Sequence, residues 1–307
     1  MSSAKTATSK PSVSVIICTS HRFHTVLDNL NALTRQTATN FEVILVDSHP
    51  DNPFHTALNS FKAPFKLHHL TVHQHNLPVA RNTGIRHAHG NIIAFLDDDA
   101  LPPPNWIARI IQSFKTHPAA AVIGGTTTTL TSSYMARFAQ HYYSWGNTPE
   151  TRTVDRIIGT NMAFHLPRIK KLEPLRKHVF NQHYTIAADD TEACYYLKSL
   201  GAEIIYDPHL TVAHHYRTHL VDFVNRQVQY ATGDWQVSQE YPQFETLGPY
   251  QYISLARSPI TILHGVYVLL RRINQVTRDL GFTWLPAIIL KECSYAFGLW
   301  KASNSRS

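Results

Sequence analysis

Short apolar runs rich in β-branched residues alternate with longer segments of mixed polarity over the first 125 residues. An apolar run without polar alternation is typical of a strand covered on both faces, so the runs predict buried strands. They are VSVIIC (13–18), FEVILVD (41–47), NIIAFL (91–96), AAVIGG (120–125) and a weaker one, KLHHLTVHQ (66–74). A Thr/Ser-rich turn is expected directly after AAVIGG. The segments between them place apolar residues at helical spacing. The helices so predicted cover 26–36, 77–90, ended by Gly90, and 105–114. This alternation predicts an α/β fold, with a mostly parallel, Rossmann-like sheet between two layers of helices.

The second half of the chain is less regular and becomes increasingly helical. Its predicted strands are TNMAFH (160–165), AEIIYDP (202–208) and LTVAHH (210–215), and its predicted helices cover 189–201, 219–233 and most of 258–300. These patterns divide the chain into four parts. We expect a disordered tail at 1–12, two halves of one α/β domain at 13–125 and 126–235, and a helical extension at 236–307.

Composition narrows the class of protein. Hydrophobic residues make up 43% of the 307 residues and charged residues 16%, which favours a globular chain with a sizeable core. The net charge is +7, but the Lys and Arg residues are dispersed and no nucleic-acid-binding motif occurs, so we expect no nucleic-acid partner. The three cysteines are far apart, which argues against a disulfide framework or a zinc-finger site.

The chain contains no segment that predicts export or a membrane span. The first 12 residues have no apolar core of the kind found in secretory signals, and no run reaches the roughly 18 apolar residues of a spanning helix. We therefore expect a cytoplasmic protein. The basic, apolar segment 258–307 leaves two interpretations open: contact with the inner face of the membrane, or packing against the domain or a second copy in a homodimer.

Three adjacent carboxylates, Asp97, Asp98 and Asp99, directly follow the strand NIIAFL. Neighbouring carboxylates repel one another and remain ionised together most easily around a cation, and hard oxygen ligands suit Mg²⁺ or Mn²⁺. Ligands of parallel α/β sheets bind at the carboxyl ends of the strands, where these residues are predicted to lie. A solvated acidic turn is the alternative, and the triplet alone does not decide between them.

Other candidates also lie near predicted strand or helix ends. Asp47 ends its strand and could bind a nucleotide or cap a turn, and Arg81 could bind phosphate or lie over the sheet surface. Asp189 and Glu192 have the spacing of a capping box, which would leave Asp190 free to act as a general base. A histidine after the strand LTVA, His214 or His215, could complete a metal site.

Five segments, in order, resemble motifs of the family 2 glycosyltransferases, which have the GT-A fold. VSVIICTSHR and FEVILVDSHPDN resemble the first two strands of that family. LPVARNTGIRHAHGNIIAFLDDD resembles its ARNxG helix and the strand with the DxD motif. AADDTEACYYLKSLGAEIIYDP resembles the helix with the catalytic base, and AHHYR resembles the histidine segment after it. The match in order and spacing extends over about residues 13–235.

This resemblance implies a metal-dependent, inverting transfer of a sugar from a nucleotide-sugar donor to a hydroxyl acceptor. The donor would be a UDP-, GDP- or dTDP-sugar, the cofactor Mn²⁺ or Mg²⁺, and the acceptor lipid-linked or a growing glycan. Synthesis of polysaccharide, glycolipid or another cell-envelope glycan is the implied role. Within the domain, 13–125 would bind the nucleotide sugar, and 126–235 would hold the acceptor and the catalytic base.

The resemblance also implies roles for individual residues. On the donor side these are Thr19, Asp47, Arg81, Asp97 and Asp98, with Asp99 and His214 as metal ligands. On the acceptor side they are Asp190 as catalytic base and Gly159, Thr160 and Asn161 in the loop that shapes the acceptor site. Asp189 remains an alternative to Asp190 as the base, and His215 an alternative to His214 as the metal ligand.

The sequence departs from the family pattern at Ser20-His21, at Ser48-His49-Pro50 and at Ala188-Asp189, where Gly-Glu is usual. Two alternatives to a transferase follow from the same fold type. A nucleotidyltransferase would normally carry a glycine-rich phosphate loop after its first strand, and CTSHRFHT has no glycine. A catalytically inactive sugar-nucleotide-binding protein would have no need of both Asp99 and Asp190.

Overall fold

A computed structural model describes residues 10–20, 22–49, 58–144, 149–251 and 258–305. Most of the tail predicted to be disordered, 1–12, lies outside the described residues, as do His21 and Pro50 of the segments that depart from the family pattern. Within the described residues, nine strands form one sheet.

The strands and helices follow the predicted alternation in the first half of the chain. The strands are β1 (Val13–Thr19), β2 (Phe41–Asp47), β3 (Lys66–Thr71), β4 (Ile92–Leu96), β5 (Ala100–Leu101), β6 (Ala120–Thr129), β7 (Arg152–Thr153), β8 (Asn161–His165) and β9 (Glu203–His214). The α-helices are α1 (Phe23–Leu33), α2 (Leu77–His87), α3 (Trp106–Thr116), α4 (Tyr134–Ser144), α5 (Leu166–Ile169), α6 (Asp189–Ser199), α7 (Leu220–Glu240), α8 (Pro259–Leu280) and α9 (Leu285–Asn304). Short 3₁₀ helices occur at Gly248–Tyr250 and Phe282–Trp284.

The sheet has a parallel half and a mixed half. Its strand order is β3-β2-β1-β4-β8-β6-β9-β5, with β7 paired to β9. Strands β1 to β4 pair in parallel, β8 runs antiparallel between β4 and β6, and β6 and β9 are parallel again. The carboxyl ends of β1, β2 and β4 therefore meet at one edge of the sheet.

Side chains that alternate along each strand form a core on both faces. Ile17 and Leu45 pack on the face covered by α1 and α3, where Trp106 is fully buried. Ile16 and Phe95 lie on the opposite face, covered by α2 and α6. The prediction of a sheet with helices on both faces is confirmed.

Gly90 does not end the second helix as predicted. Helix α2 ends at His87, and Gly90 lies where a Cβ would come within 2.6 Å of the Ser14 backbone nitrogen. The Gly90 amide also donates to Ser14 Oγ at 2.8 Å. The glycine is needed for this close approach to β1 rather than for a turn in the left-handed region.

Two strands are longer than the sequence predicts. Strand β6 continues beyond Gly125 through the threonine run to Thr129, where a turn was expected, because β-branched side chains suit a strand. The two strands predicted at 202–208 and 210–215 form the single strand β9, despite Pro208. Its pairing with β6 shifts register between Gly124 and Thr126, which accommodates the irregular segment.

The C-terminal helices predicted within 258–300 are present: α9 packs on α7, and α8 packs on α9. The backbones of α7 and α9 approach closely at Gly298, where a Cβ would lie 2.7 Å from that of Ala231. A smaller apolar cluster joins Ala231, Tyr295 and Leu299. No helix of the described residues is long and apolar enough to cross a membrane.

Candidate active site

The acidic triplet lies at the carboxyl edge of the sheet, beside the ends of β1 and β2. Thr19, the last residue of β1, donates its hydroxyl to Asp98 Oδ2 at 2.8 Å. The buried Asn29 amide donates to the carbonyl oxygens of Asp97, at 2.9 Å, and Ala100, at 2.8 Å, and so fixes the backbone on both sides of the triplet. The three carboxylates are therefore held by the neighbouring elements and do not form a free solvated turn.

Asp97, Asp99 and His214 form a group that could hold a metal ion, with one ligand atom from each within 4.8 Å of the others. Strand β9 delivers the histidine, because Ala100 of β5 pairs with His214. His214 Nε2 lies 3.1 Å from Asp99 Oδ1. The following residue contributes its backbone, since the His215 amide donates to the Asp99 carbonyl at 3.0 Å. Of the two histidines, His214 is the one whose ring reaches the acidic residues.

Burial and mutual charge set the ionisation of this group. Burial opposes the charge on Asp99, but the hydrogen bond and charge of His214 more than offset it, so the pKa of Asp99 lies below its ordinary value. The pKa of His214 is raised in return, although burial acts against it. Burial, with a contribution from Asp99, raises the pKa of Asp98 to about 7. The triplet therefore contains a strongly ionised carboxylate, that of Asp99, beside one that resists ionisation, that of Asp98.

Arg22 is a site residue that the sequence reading did not identify. It directly precedes α1, and its guanidinium contacts both Asp99 and, at 3.2 Å, Asp98 Oδ1. Its side chain is 45% exposed, so it covers the triplet from the solvent side. The sequence did offer a way to identify Arg22: it follows β1 closely, and the carboxyl end of that strand was already expected at the site.

Arg81 lies beneath the site instead of facing solvent. It is 4% exposed, and its NH1 donates to Asp189 Oδ2 at 2.6 Å while NH2 lies 3.5 Å from Asp97 Oδ1. The guanidinium also packs over the rings of Phe95 and Phe180. Burial disfavours the cation, but the two carboxylates more than offset it and hold the pKa of Arg81 above its ordinary value.

The start of α6 differs from the capping box that the sequence predicts. The N-cap is Ala188, without a side-chain cap, and Asp189 is the first helical residue. The Asp189 carboxylate is instead paired with Arg81, and Glu192 accepts two hydrogen bonds from Arg176, at 2.5 and 2.7 Å. The predicted capping box is therefore wrong, because the buried Arg81 and the partly buried Arg176 bind the two carboxylates.

Ala188 adopts a left-handed backbone conformation with φ 65°. This is the position at which the sequence has Ala in place of the usual Gly. A Cβ in this conformation is unfavourable because it lies close to its own backbone. Gly233 of α7 avoids a second clash, since a Cβ on Gly233 would lie 2.8 Å from that of Ala188. The turn before Asp190 is thus retained without glycine.

The predicted acceptor loop joins the two sets of carboxylates. The Gly159 amide donates to Asp190 Oδ2 at 2.7 Å, and the Thr160 hydroxyl donates to Asp97 Oδ2 at 2.5 Å. A Cβ on Gly159 would come within 2.5 Å of Arg81 NH2, so only glycine fits there. The loop therefore connects the acidic triplet to the start of α6.

Asn161, the third residue of this loop, supports it from below. Its side chain is fully buried and accepts from the Trp106 indole at 2.9 Å. Its amide donates to the carbonyls of Thr126, at 3.0 Å, and Leu210, at 2.8 Å. Asn161 therefore joins β6, β8 and β9 and does not face an acceptor.

Asp47 has a similarly internal position. It is fully buried at the end of β2, and its Oδ1 accepts from the His49 amide at 2.8 Å. This is the geometry of a carboxylate that closes a turn two residues ahead. A contact between Asp47 and a nucleotide remains a prediction.

One consequence of the buried Arg81–Asp189 pair can be measured as stability. We expect Asp189→Ala to lower the free energy of unfolding by about 3 kcal/mol, because it leaves a buried guanidinium without its main partner. The matched control is Asp155→Ala, which breaks the pair between Lys198 and a carboxylate 57% exposed and should cost less than about 1 kcal/mol. Urea unfolding of both variants measures the difference. Equal losses of unfolding free energy in the two variants would show that the buried pair contributes no more than the exposed one.

The comparisons with known proteins agree with this architecture. The sequence model of glycosyl transferase family 2 matches residues 14–172, slightly more than half of the chain. The chain belongs to glycosyl transferase family 2.

The glucosyl-dolichyl phosphate glucuronosyltransferase of Haloferax volcanii is 25% identical over 117 residues, 37% of this chain and 37% of the relative. Glycosyltransferase AglE of the same organism is 28% identical over 190 residues, 59% of this chain and 62% of the relative. The chain thus spans less than two thirds of the length of either relative.

Solved structures show the same fold over most of the chain. The mannosyltransferase PcManGT of Pyrobaculum calidifontis, in complex with GDP-Man and Mn²⁺, superposes with a TM-score of 0.68 at 15% identity, covering 97% of this chain and 88% of that one. TarS of S. aureus, residues 1–349 in complex with UDP-GlcNAc, gives a TM-score of 0.55 at 13% identity, with 96% and 91% coverage. The GT-A fold, with helices after it, is confirmed.

Proposed function

We propose that this chain is a metal-dependent, inverting glycosyltransferase that moves a sugar from a nucleotide-sugar donor to a hydroxyl acceptor. The observation that carries the proposal is the loop at Gly159-Thr160, which hydrogen-bonds to Asp190 on one side and to Asp97 on the other. A donor-activating group and a candidate base are thereby held at fixed positions around one site. Membership of the family favours sugar transfer over the nucleotidyl transfer also considered.

The donor half of the site consists of Asp97, Asp99 and His214. Two carboxylates and one imidazole suit Mn²⁺, and the carboxylates suit Mg²⁺. Such a cation, when bound, neutralises the charge that develops on the departing nucleoside diphosphate. Asp98 is tied to Thr19 and Arg22, so we assign it to orientation of the triplet and of the donor.

The acceptor half centres on Asp190. Its carboxylate is partly exposed, and both oxygens accept backbone hydrogen bonds, from Gly159 at 2.7 Å and Thr191 at 2.8 Å. A carboxylate held in this way at the edge of a site can remove a proton from an incoming hydroxyl. Asp189 is 6% exposed and engaged by Arg81, so it is the weaker candidate for the base.

We assign Arg81 a positioning role in place of the diphosphate contact expected from its motif. The guanidinium spans Asp97 of the donor half and Asp189 beside the base, and no part of the side chain extends into the open site. It therefore fixes the distance between the two halves. Orientation of this kind is a large part of the advantage of an enzyme over free reactants.

A thermal-shift screen tests the donor class. UDP-, GDP- and dTDP-sugars are each added with and without Mn²⁺, and we expect one nucleotide class to raise the Tm in a Mn²⁺-dependent way. A ligand at 100 times its Kd stabilises the native state by about 2.7 kcal/mol through mass action. Asp28→Asn, an exposed change on α1, should leave the shift intact. If no sugar nucleotide changes the Tm, the donor assignment is overturned.

The acceptor and the membrane contact are linked in the proposal. Helix α8 exposes five large apolar side chains at helical spacing: Ile262, Leu263, Val266, Tyr267 and Leu270, each at least 50% exposed. Exposed Arg271 and Arg278 follow on the same helix, and Phe282 just after it is 77% exposed. An apolar helix face beside cations suits the interface of an anionic lipid surface. One relative is named for glucosyl-dolichyl phosphate, and we propose that the acceptor here is likewise lipid-linked.

Co-sedimentation with vesicles tests this surface. We expect the chain to sediment with vesicles that contain phosphatidylglycerol, less so with pure phosphatidylcholine, and less at high salt. Leu263→Gln combined with Leu270→Gln should lower the bound fraction. Val221→Gln, which changes a side chain of α7 that is 70% exposed, should not. A protein that stays in the supernatant with anionic vesicles at low salt would contradict the membrane contact.

A further inference from the structure

A second group of possible metal ligands lies at the amino ends of the parallel strands, whereas the acidic triplet lies at their carboxyl ends. It consists of Glu42 of β2, His68 of β3 and His89 in the loop before β4. Glu42 is the second residue of β2 and Asp47 is the last. Five residues at about 3.3 Å each place roughly 16 Å between those two strand positions. The group is therefore separate from the candidate active site.

The two oxygens of Glu42 have different surroundings. Oε1 accepts from the Ser14 hydroxyl at 2.6 Å and from the His89 amide at 2.7 Å. Oε2 lies between two imidazoles, 3.3 Å from His68 Nε2 and 3.1 Å from His89 Nδ1, and the same His89 nitrogen lies 3.2 Å from Oε1. The hydrogen bonds from Ser14 and the His89 amide thus fix Oε1, and Oε2 is the oxygen that lies close to both rings.

His68 Nε2 is the unusual atom in this arrangement. It is buried, and its contact with Glu42 does not have hydrogen-bond geometry, so the atom has no hydrogen-bond partner among the described residues. A buried ring nitrogen without a partner is costly unless something binds its lone pair. The ring lies beside that of His89, with centroids 5.8 Å apart and planes 29° from parallel.

We propose that Glu42 Oε2, His68 Nε2 and His89 Nδ1 bind a divalent transition-metal ion of the zinc class. Ligand atoms about 2.0 Å from a tetrahedral ion lie roughly 3.3 Å apart, and the two measured separations from Oε2 are close to that value. Two imidazoles and a carboxylate are typical zinc ligands. The His89 side chain is 55% exposed, which leaves access for the ion and for a water as fourth ligand.

The surroundings support such a site and indicate what it would do. Ser14 orients the carboxylate ligand, as groups behind metal ligands commonly do. Among the strands of the described residues, β3 is an edge strand and pairs only with β2. A bound ion would tie this edge strand to β2 and to the loop that leads into β4 and the acidic triplet. The site is therefore structural, and it would stabilise the parallel half of the sheet.

The test first disrupts the other candidate metal group, that of Asp97, Asp99 and His214. In an Asp99→Ala chain, equilibrium dialysis should show one equivalent of bound Zn²⁺, and Co²⁺ should give the visible absorption of a tetrahedral complex. Adding His68→Gln and His89→Gln should weaken Zn²⁺ binding on the order of 100-fold or more and abolish the Co²⁺ spectrum. Zn²⁺ should raise the Tm of the first chain and not of the second.

His73→Gln is the matched control, because His73 is exposed just beyond β3 and outside the group. Glu42→Gln is avoided, since Glu42 is 1% exposed and its loss would disturb the fold. If the triple variant does not fold, His89→Gln alone in the Asp99→Ala chain must still lose the Co²⁺ spectrum. Unchanged Zn²⁺ stoichiometry after removal of both histidines would overturn the proposal, and so would an absence of tight Zn²⁺ binding before it.

Discussion

Replacing Asp190 by Asn should reduce sugar transfer by about 10²- to 10⁴-fold while the affinity for the donor stays near that of the unchanged enzyme. The range is the usual contribution of a general base. An asparagine oxygen can still accept from the Gly159 amide, with loss of the bond from the Thr191 amide to the other oxygen, so the loop that the carboxylate holds should keep its position. Release of nucleoside diphosphate measures transfer, and calorimetry measures donor binding.

Two controls separate loss of the base from loss of the fold. Asp155→Asn changes an exposed carboxylate and should leave transfer unchanged. The Tm of Asp190→Asn should also lie close to that of the unchanged chain, whereas Asp189→Ala should unfold more easily. If Asp190→Asn keeps near-full transfer, Asp190 is not the base and Asp189 becomes the candidate.

Asp99→Ala should abolish metal-dependent donor binding and lower transfer by about 10³-fold. A metal ion contributes several kcal/mol of charge stabilisation, and about 4 kcal/mol corresponds to that factor. Asp99 is the residue of the triplet that both His214 and Arg22 contact. Its loss removes a predicted metal ligand, takes away the carboxylate that His214 contacts and leaves Arg22 with Asp98 alone. Calorimetric titration of nucleoside diphosphate with and without Mn²⁺ measures the effect.

Asp28→Asn serves again as the control for this change, because it removes a carboxylate of similar charge from an exposed position on α1. His214→Ala should give a smaller loss in the same direction, since Asp97 and Asp99 remain. A Mn²⁺-dependent affinity that survives Asp99→Ala would show that the cation is held elsewhere.

The fold was predictable from the sequence because hydrophobic pattern and strand burial agree. VSVIIC, FEVILVD and NIIAFL are mostly apolar runs without regular polar alternation, and β1, β2 and β4 are buried on both faces, as those runs predict. The acidic triplet was predictable for the same reason, since it directly follows one of them. The threonine run after AAVIGG was misread as a turn because its polarity concealed a β-branched strand.

The site was harder to predict where side chains meet across long sequence separations. Arg81 and Asp189 are 108 residues apart, and nothing local in either segment shows that they pair. The spacing of Asp189 and Glu192 suited a capping box, but arginines from elsewhere in the chain bind both carboxylates and outweighed this local preference. Arg226 is a further example. Its charge acts on Asp97 and Asp190 from α7, where the pattern indicated only an amphipathic helix.

The antiparallel strand β8 has a practical consequence for expression of residues 13–125 alone, the half predicted to bind the nucleotide sugar. A fragment ending at residue 125 would contain β4 without its neighbour, so the backbone of Ile92–Leu96 would become a bare edge with fully apolar side chains. The same cut would deprive β6 of both of its partners. Unprotected edges of this kind template intermolecular pairing, and such a fragment should aggregate. Any shortened version meant for crystallisation therefore has to extend past His214.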